Sequence, residues 1–303
     1  MKFSNILIST FLIAALSLAV SCDKVEHPVV DHSNDLDWGL FPGGDSASYN
    51  WPTWSANTYN SQNVLLEDFT GHTCTNCPAA AVKAKVLEDA NPGRVFVTSI
   101  HASPGSGFQE VAPPEFTQDF RTDAGNDYVN DIPSFIGNPI GMINRKGGGL
   151  GNSNWYLSSA WPGKVNSTLN ETPIAKLQLQ YNYYPQTKGL FIHTESELTS
   201  TPTDDFGLTI YLVREVVVAA QKLSDGTVEE HYHHHNVLTD NLNGTWGTKI
   251  AAGTAGKLYH NFAVSLPDNS SDTTFNIDNL VLITYIYNKA TLEVAQVIKT
   301  ELE

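Results

Sequence analysis

Two cysteines three residues apart are the side chains in this sequence best suited to chemistry. They stand in the run Cys74-Thr75-Asn76-Cys77-Pro78. Such a pair supports three uses: a reversible dithiol, a closed disulfide, or half of a zinc site. Two neighbours favour redox work. Asp68 lies six residues before Cys74, where a buried carboxylate could relay protons during exchange. His72 lies two residues before it, and if protonated it would lower the thiol pKa. A closed, inert disulfide that tightens a helix start remains open on the same residues, as does zinc.

The surrounding pattern says which elements hold the pair. Asn63 to Phe69 (N-V-L-L-E-D-F) reads as a short buried strand. Ala79 to Glu88 reads as a helix, with Pro78 in its first turn, where a missing N–H costs nothing. A helix N-terminus there would favour a thiolate at Cys74 through its dipole and free N–H groups. Arg94–His101 reads as a second strand and Ile140–Asn144, just after Pro139, as a third. Residues 102–132 read as an insertion with a helix around Pro114–Ala124, and Trp155–Leu169 as a helix broken near Pro162. From about Pro173 onward the chain is strand-like: Ala175–Tyr184, Leu190–Leu198, Gly207–Ala220, Lys257–Leu266, Asn279–Asn288 and Glu293–Leu302. Repeated short strands with little helix predict an antiparallel β-sandwich.

A second constellation is Glu229-Glu230-His231-Tyr232-His233-His234-His235. On a strand, His231, His233 and His235 share one face and Tyr232 and His234 the other. Three imidazoles on one face could bind zinc or copper; a wet polar strand is the plainer reading, and no metal or other cofactor is expected. Acidic turns at Asp204-Asp205 and Asp268–Asp272 read as solvated loops rather than calcium sites. No G-x-S-x-G elbow is present. Ser106 sits in the insertion, and Lys146-Gly147-Gly148-Gly149 lacks the spacing of a phosphate loop.

The N-terminus reads as an address. Lys2 precedes a mostly apolar run from Ile6 to Val20, short for a spanning helix and fitting a signal peptide. The run ends at Leu18-Ala19-Val20-Ser21-Cys22, which resembles a bacterial lipobox. Residues 1–21 would then be the signal, Cys22 the lipidated mature terminus, and 22–60 an anchor and tether whose Trp38, Trp51 and Trp54 dock on the folded body. Multiple acyl chains give stable anchoring. With Cys22 set aside, Cys74 and Cys77 are the remaining cysteines of three, and outside the cytoplasm they can pair.

The bulk numbers agree. The chain has 303 residues with a net charge of -15, which argues against nucleic acid as a partner, because phosphate neutralisation needs clustered Lys and Arg. Hydrophobic residues make up 41%, enough for real cores, and the length suggests about two domains, divided at 172/173.

Strand, Asp68, Cys74-x-x-Cys77-Pro78, helix, strand, later Pro139 and strand resembles the thioredoxin fold. The resemblance implies that Cys74 is the attacking thiol, Cys77 the resolving thiol, Asp68 the buried acid, and Pro139 a cis-proline facing the pair. Thr73 stands where thioredoxins carry Trp, and Thr75-Asn76 replaces their dipeptide. A wider match covers Leu65–Pro78, Gly137–Arg145 (G-N-P-I-G-M-I-N-R), and the His-rich segment before Gly244-Thr245-Trp246-Gly247. It resembles the outer-membrane-protein-28-related lipoproteins of Bacteroidetes. That implies a thioredoxin-like domain at 61–172, a β-domain at 173–303, and an outer-membrane lipoprotein facing the periplasm or the cell surface. Its partners would be the membrane through the anchor, and either protein thiols and disulfides or a surface ligand.

Overall fold

A computed structural model describes residues 36–58, 60–105, 107–267 and 272–303. The signal, Cys22 and the first part of the tether lie outside the described residues, as do Ser106 and 268–271. No described helix is long and apolar enough to cross a membrane.

The strand Val64–Thr70 (β1) leads through the cysteine turn into the helix Cys77–Ala90 (α1), then the strand Val95–His101 (β2). β1 and β2 are parallel, with Asp68 level with Ser99. The helix Asp123–Asp131 (α2) precedes the strand Ile140–Ile143 (β3), which runs antiparallel to β1. The helix Trp161–Leu169 (α3) follows. Strands Ala175–Tyr184 (β4), Gly189–Leu198 (β5), Phe206–Lys222 (β6), Val228–Asn241 (β7), Thr248–Ile250 (β8), Lys257–Ser265 (β9), Leu280–Asn288 (β10) and Val294–Glu301 (β11) complete the chain.

Two helices differ from expectation. The helix placed around 114–124 forms at 123–131 instead. Thr122 accepts the N–H of Gly125 as its N-cap, while Ala112 and Phe116 close a bridge over a turn at 113–115. The helix expected from Trp155 begins at Trp161. Pro162 fits the first turn, where its missing N–H costs nothing. Tyr156 instead bridges to Gly141 beside β3, and Trp155 is buried edge-on against Phe69, 4.8 Å between ring centroids.

The expected boundary at 172/173 is not a boundary between sheets. One eight-stranded sheet runs β11-β10-β6-β7-β2-β1-β3, with β8 on β6, so strands from both halves share it. Residues 35–303 form one compact unit. The physical reason lies at the seam. β2 and β7 meet as parallel neighbours at Ser99 and Val237. Asn63 Nδ2 donates to the carbonyl of Val297 at 2.9 Å, and the Val294 N–H to that of Asn144 at 2.8 Å. Below them, the buried Arg145 guanidinium grips Glu67 of β1 through two bonds of 2.9 and 2.7 Å. It also donates to Tyr285 of β10, while Tyr211 of β6 donates to Glu67. Separating the halves would take from this buried pair the Tyr211 and Tyr285 hydroxyls that bond it.

In the second half the strands lie in two sheets that share cores. A three-stranded sheet, β4-β5-β9, is built from antiparallel pairs. Its inward residues Leu177, Leu190 and Ile192 join cores with Leu208, Ile210 and Leu282 of the large sheet. On its outer face β4 carries part of the tether. Gln178, Gln180 and Asn182 donate side-chain bonds to the carbonyls of Ser55, Thr53 and Asn50. Trp38 and Tyr49 pack on Phe191, at 5.7 and 5.1 Å.

Candidate functional site: a covered disulfide beside a histidine-walled cavity

Cys74 and Cys77 are joined as a disulfide, so the zinc reading of the pair does not hold. Cys77 is the first residue of α1, Asn76 caps without a side-chain bond, and Pro78 occupies the first turn. Cys74 lies just before, in a turn closed by its N–H to the carbonyl of Gly71 at 3.1 Å.

Both cysteines are buried, with 2% of Cys74 and 1% of Cys77 exposed. Two segments cover them. From the insertion, the Phe108 carbonyl accepts the Thr73 N–H at 3.1 Å, and the Glu110 carbonyl accepts Nε2–H of His72 at 2.8 Å. A side chain at Gly71 would collide with Phe108, 2.6 Å from an added Cβ. From the end of β6, the Gln221 amide donates to the Cys74 carbonyl at 3.1 Å, and the Lys222 N–H to that of His72 at 2.8 Å. Gln221 lies about 150 residues from the cysteines in sequence, and nothing local in the sequence signals it.

His72 sits in a buried, aromatic setting. It stacks on Phe116 at 5.2 Å, and burial pulls its pKa below the ordinary value, which favours the neutral ring. Pro139 follows a cis bond from Asn138. Phe69 pairs with Ile140, which sets Pro139 level with Thr70. Buried Gln109 ties the two turns together, donating to the Thr70 carbonyl at 2.5 Å and to Asn138 Oδ1 at 3.1 Å.

Asp68 is fully buried. Strand alternation puts it on the face of Val64 and Leu66, which pack with Ala80 and Ala84 of α1. Neither carboxyl oxygen has a hydrogen-bond partner. Burial raises its pKa to about 7, since a charge there has lost its water without gaining a donor. Glu67, one residue earlier, faces the other way and pairs with Arg145 at 2.7 Å. Two adjacent carboxyls thus have opposite fates, set by strand period.

The histidine segment is part of β7, as its alternation requires. His231, His233 and His235 are exposed on one face, while His234 is buried and Tyr232 half-buried on the other. His233 and His235 stand 6.4 Å apart by ring centroid. Among the described residues no group of three His, Cys, Asp or Glu side chains is placed to hold a metal ion, so the metal reading of these three is set aside. The described part of the acidic turns is spoken for as well. Asp205 pairs with Lys249 at 2.7 Å, Asp272 pairs with Arg214 at 2.8 Å, and Asp204 accepts from Asn288 at 3.0 Å.

Between α1, β2 and the buried face of β7 lies a cavity of about 330 Å³. Cys77, Pro78 and Ala81 form one wall, Val97 and His101 another, and Tyr232 and His234 the third. Tyr232 is close enough to Asp68 for that carboxyl to add to the effect of burial in raising its own hydroxyl.

Fold and site together define a class: a mixed α/β protein in which a strand–helix–strand unit with a closed C-x-x-C disulfide shares its sheet with a larger β-rich body. The family model for outer membrane protein Omp28 matches residues 127–303, more than half of the chain and across the expected boundary at 172/173. The chain belongs to that family and is an outer membrane protein. Among solved structures, HBP35 of Porphyromonas gingivalis is similar in fold, with a TM-score of 0.61 at 16% identity over 80% of this chain and 76% of that one. A domain of the outer membrane lipoprotein Omp28 from Porphyromonas gingivalis matches at 17% identity and a TM-score of 0.30, covering 43% of this chain and 89% of that one. No curated protein matches.

Proposed function

We propose that this is a lipid-anchored outer membrane protein, attached through Cys22, in which the Cys74–Cys77 disulfide is a structural clasp and the β-rich body meets a surface ligand. In this reading the unit of β1, α1, β2 and β3 is a thioredoxin-like frame. Its parallel β1 and β2, the antiparallel β3 after the cis Asn138-Pro139 bond and the buried Asp68 support that reading. The observation that carries the clasp is the burial of both cysteines, in a turn whose backbone is bonded to Phe108 and Gln221. Exchange begins when a thiolate reaches a disulfide sulfur, and little of either cysteine meets solvent.

One observation favours a second reading. Asp68 is an unpaired carboxyl that titrates near neutrality on the face beneath α1. That is the property a proton acceptor for a resolving thiol needs. Once an external dithiol had opened and reduced the pair, the Cys74 thiolate would attack a substrate disulfide and release one of its thiols, and Cys77 would resolve the mixed disulfide, releasing the other thiol and closing the pair again. An insulin-reduction assay separates the two. The clasp predicts no turnover above a Cys74→Ser control, and turnover that Cys74→Ser abolishes would establish exchange.

A further inference from the structure

The cavity beside the disulfide has walls of two kinds. Pro78, Ala81, Val82 and Val97 make it mostly apolar. Its floor is not. His101 is 2% exposed, and neither Nδ1 nor Nε2 has a hydrogen-bond partner. His234 is 5% exposed, and its Nε2 has none either. Leaving buried nitrogens unmatched is costly, and nothing in the fold of the disulfide requires imidazole here.

The rings are also fixed. His101 stacks on Phe120 at 4.4 Å between centroids, and Phe120 lies 4.7 Å from His234. The two imidazoles meet edge to face at 5.5 Å, and both residues line the cavity. A hydroxyl suits them, because it donates to the acceptor nitrogen of one neutral ring and accepts from the N–H of the other. Neutral rings are what this site holds at pH 7: burial lowers His101 well below the ordinary histidine range and takes His234 to about 4. The volume is at the small end of the range of about 300–1,000 Å³ typical of ligand pockets.

We propose that this cavity is a binding site for a small, uncharged, largely apolar molecule bearing one hydroxyl, with His101 and His234 holding the hydroxyl and the α1 wall holding the apolar body. The site does not depend on whether the disulfide exchanges.

Phenol is the probe, titrated into the full chain and followed through the ring C–H resonances of the histidines. Saturable binding that shifts His101 and His234, leaving exposed His231 in place, is expected. Toluene, which lacks the hydroxyl, should bind about a hundredfold more weakly, the worth of roughly two hydrogen bonds. Ala81→Phe should fill the apolar wall and abolish binding. His101→Phe keeps the stack on Phe120 but removes one of the hydroxyl's two partners, and should weaken phenol about tenfold. Either variant suffices if the other does not fold. No saturation by about 10 mM phenol, or equal affinity for phenol and toluene in the parent, would overturn the proposal. So would undiminished phenol binding in a folded variant.

Discussion

Replacing Asp68 by Asn tests the electrostatics of the site without changing its shape. The carboxyl has an ordinary value of 3.8 and is pushed up to about 7 in the folded protein by burial alone. Between those values the folded chain keeps a proton that the unfolded chain has lost. Stability from this group is therefore complete below about pH 4 and is lost as pH rises through 7. At about 1.4 kcal/mol per decade of pH, the loss amounts to about 4 kcal/mol. Asn has no such proton, so the unmatched amide costs the same at every pH. Urea unfolding of both proteins at pH 4.5 and pH 8 gives the comparison, with the slope m checked for constancy. Asp68→Asn should gain several kcal/mol on the parent between the two pH values. A stability difference that is the same at both would show that Asp68 is ionised in the folded chain and has a partner, and the argument from burial would fail.

Other substitutions test other joints, each by denaturant midpoint. Changing both Cys74 and Cys77 to Ser opens a very short loop, so the loss should be modest, about 2 kcal/mol from loop entropy. Glu67→Gln leaves the Arg145 guanidinium buried without its counter-charge and should cost about 3–5 kcal/mol. Because that pair joins β1 to β6 and β10, the whole described unit should unfold in one transition; two separate transitions would restore the division at 172/173. Tyr49→Ala removes the ring wedged against Phe191 and the hydroxyl bonded to His193 at 2.5 Å, and should cost about 3 kcal/mol.

How much of this could be read beforehand depended on range. The elements around the cysteines were legible because their signals are local: a β-rich run, a C-x-x-C, a proline in the first helical turn. The period-2 pattern of the histidine segment likewise separated the exposed His231, His233 and His235 from buried His234. What the sequence could not reveal was the set of contacts made across long separations. Gln221 over Cys74, Phe108 against Gly71 and Arg145 on Glu67 join residues 37 to 147 positions apart. No spacing rule connects them, so the sequence alone points to two domains where strands of both halves share one sheet. Pro114 and Trp155 misled for a local reason. Each can begin a helix, but Thr122 and Pro162 supplied stronger starts a few residues on.

The claim on which most rests is that neither sulfur can be reached while the chain is folded. The rate at which dithiothreitol reduces Cys74–Cys77, read by trapping the freed thiols, should be compared in buffer and in denaturing urea. If attack requires opening, reduction in buffer should be slower by at least about a hundredfold, an opening free energy of about 2.7 kcal/mol. Equal rates in the two conditions would mean the sulfurs stand open in the folded protein, and the clasp would give way to exchange.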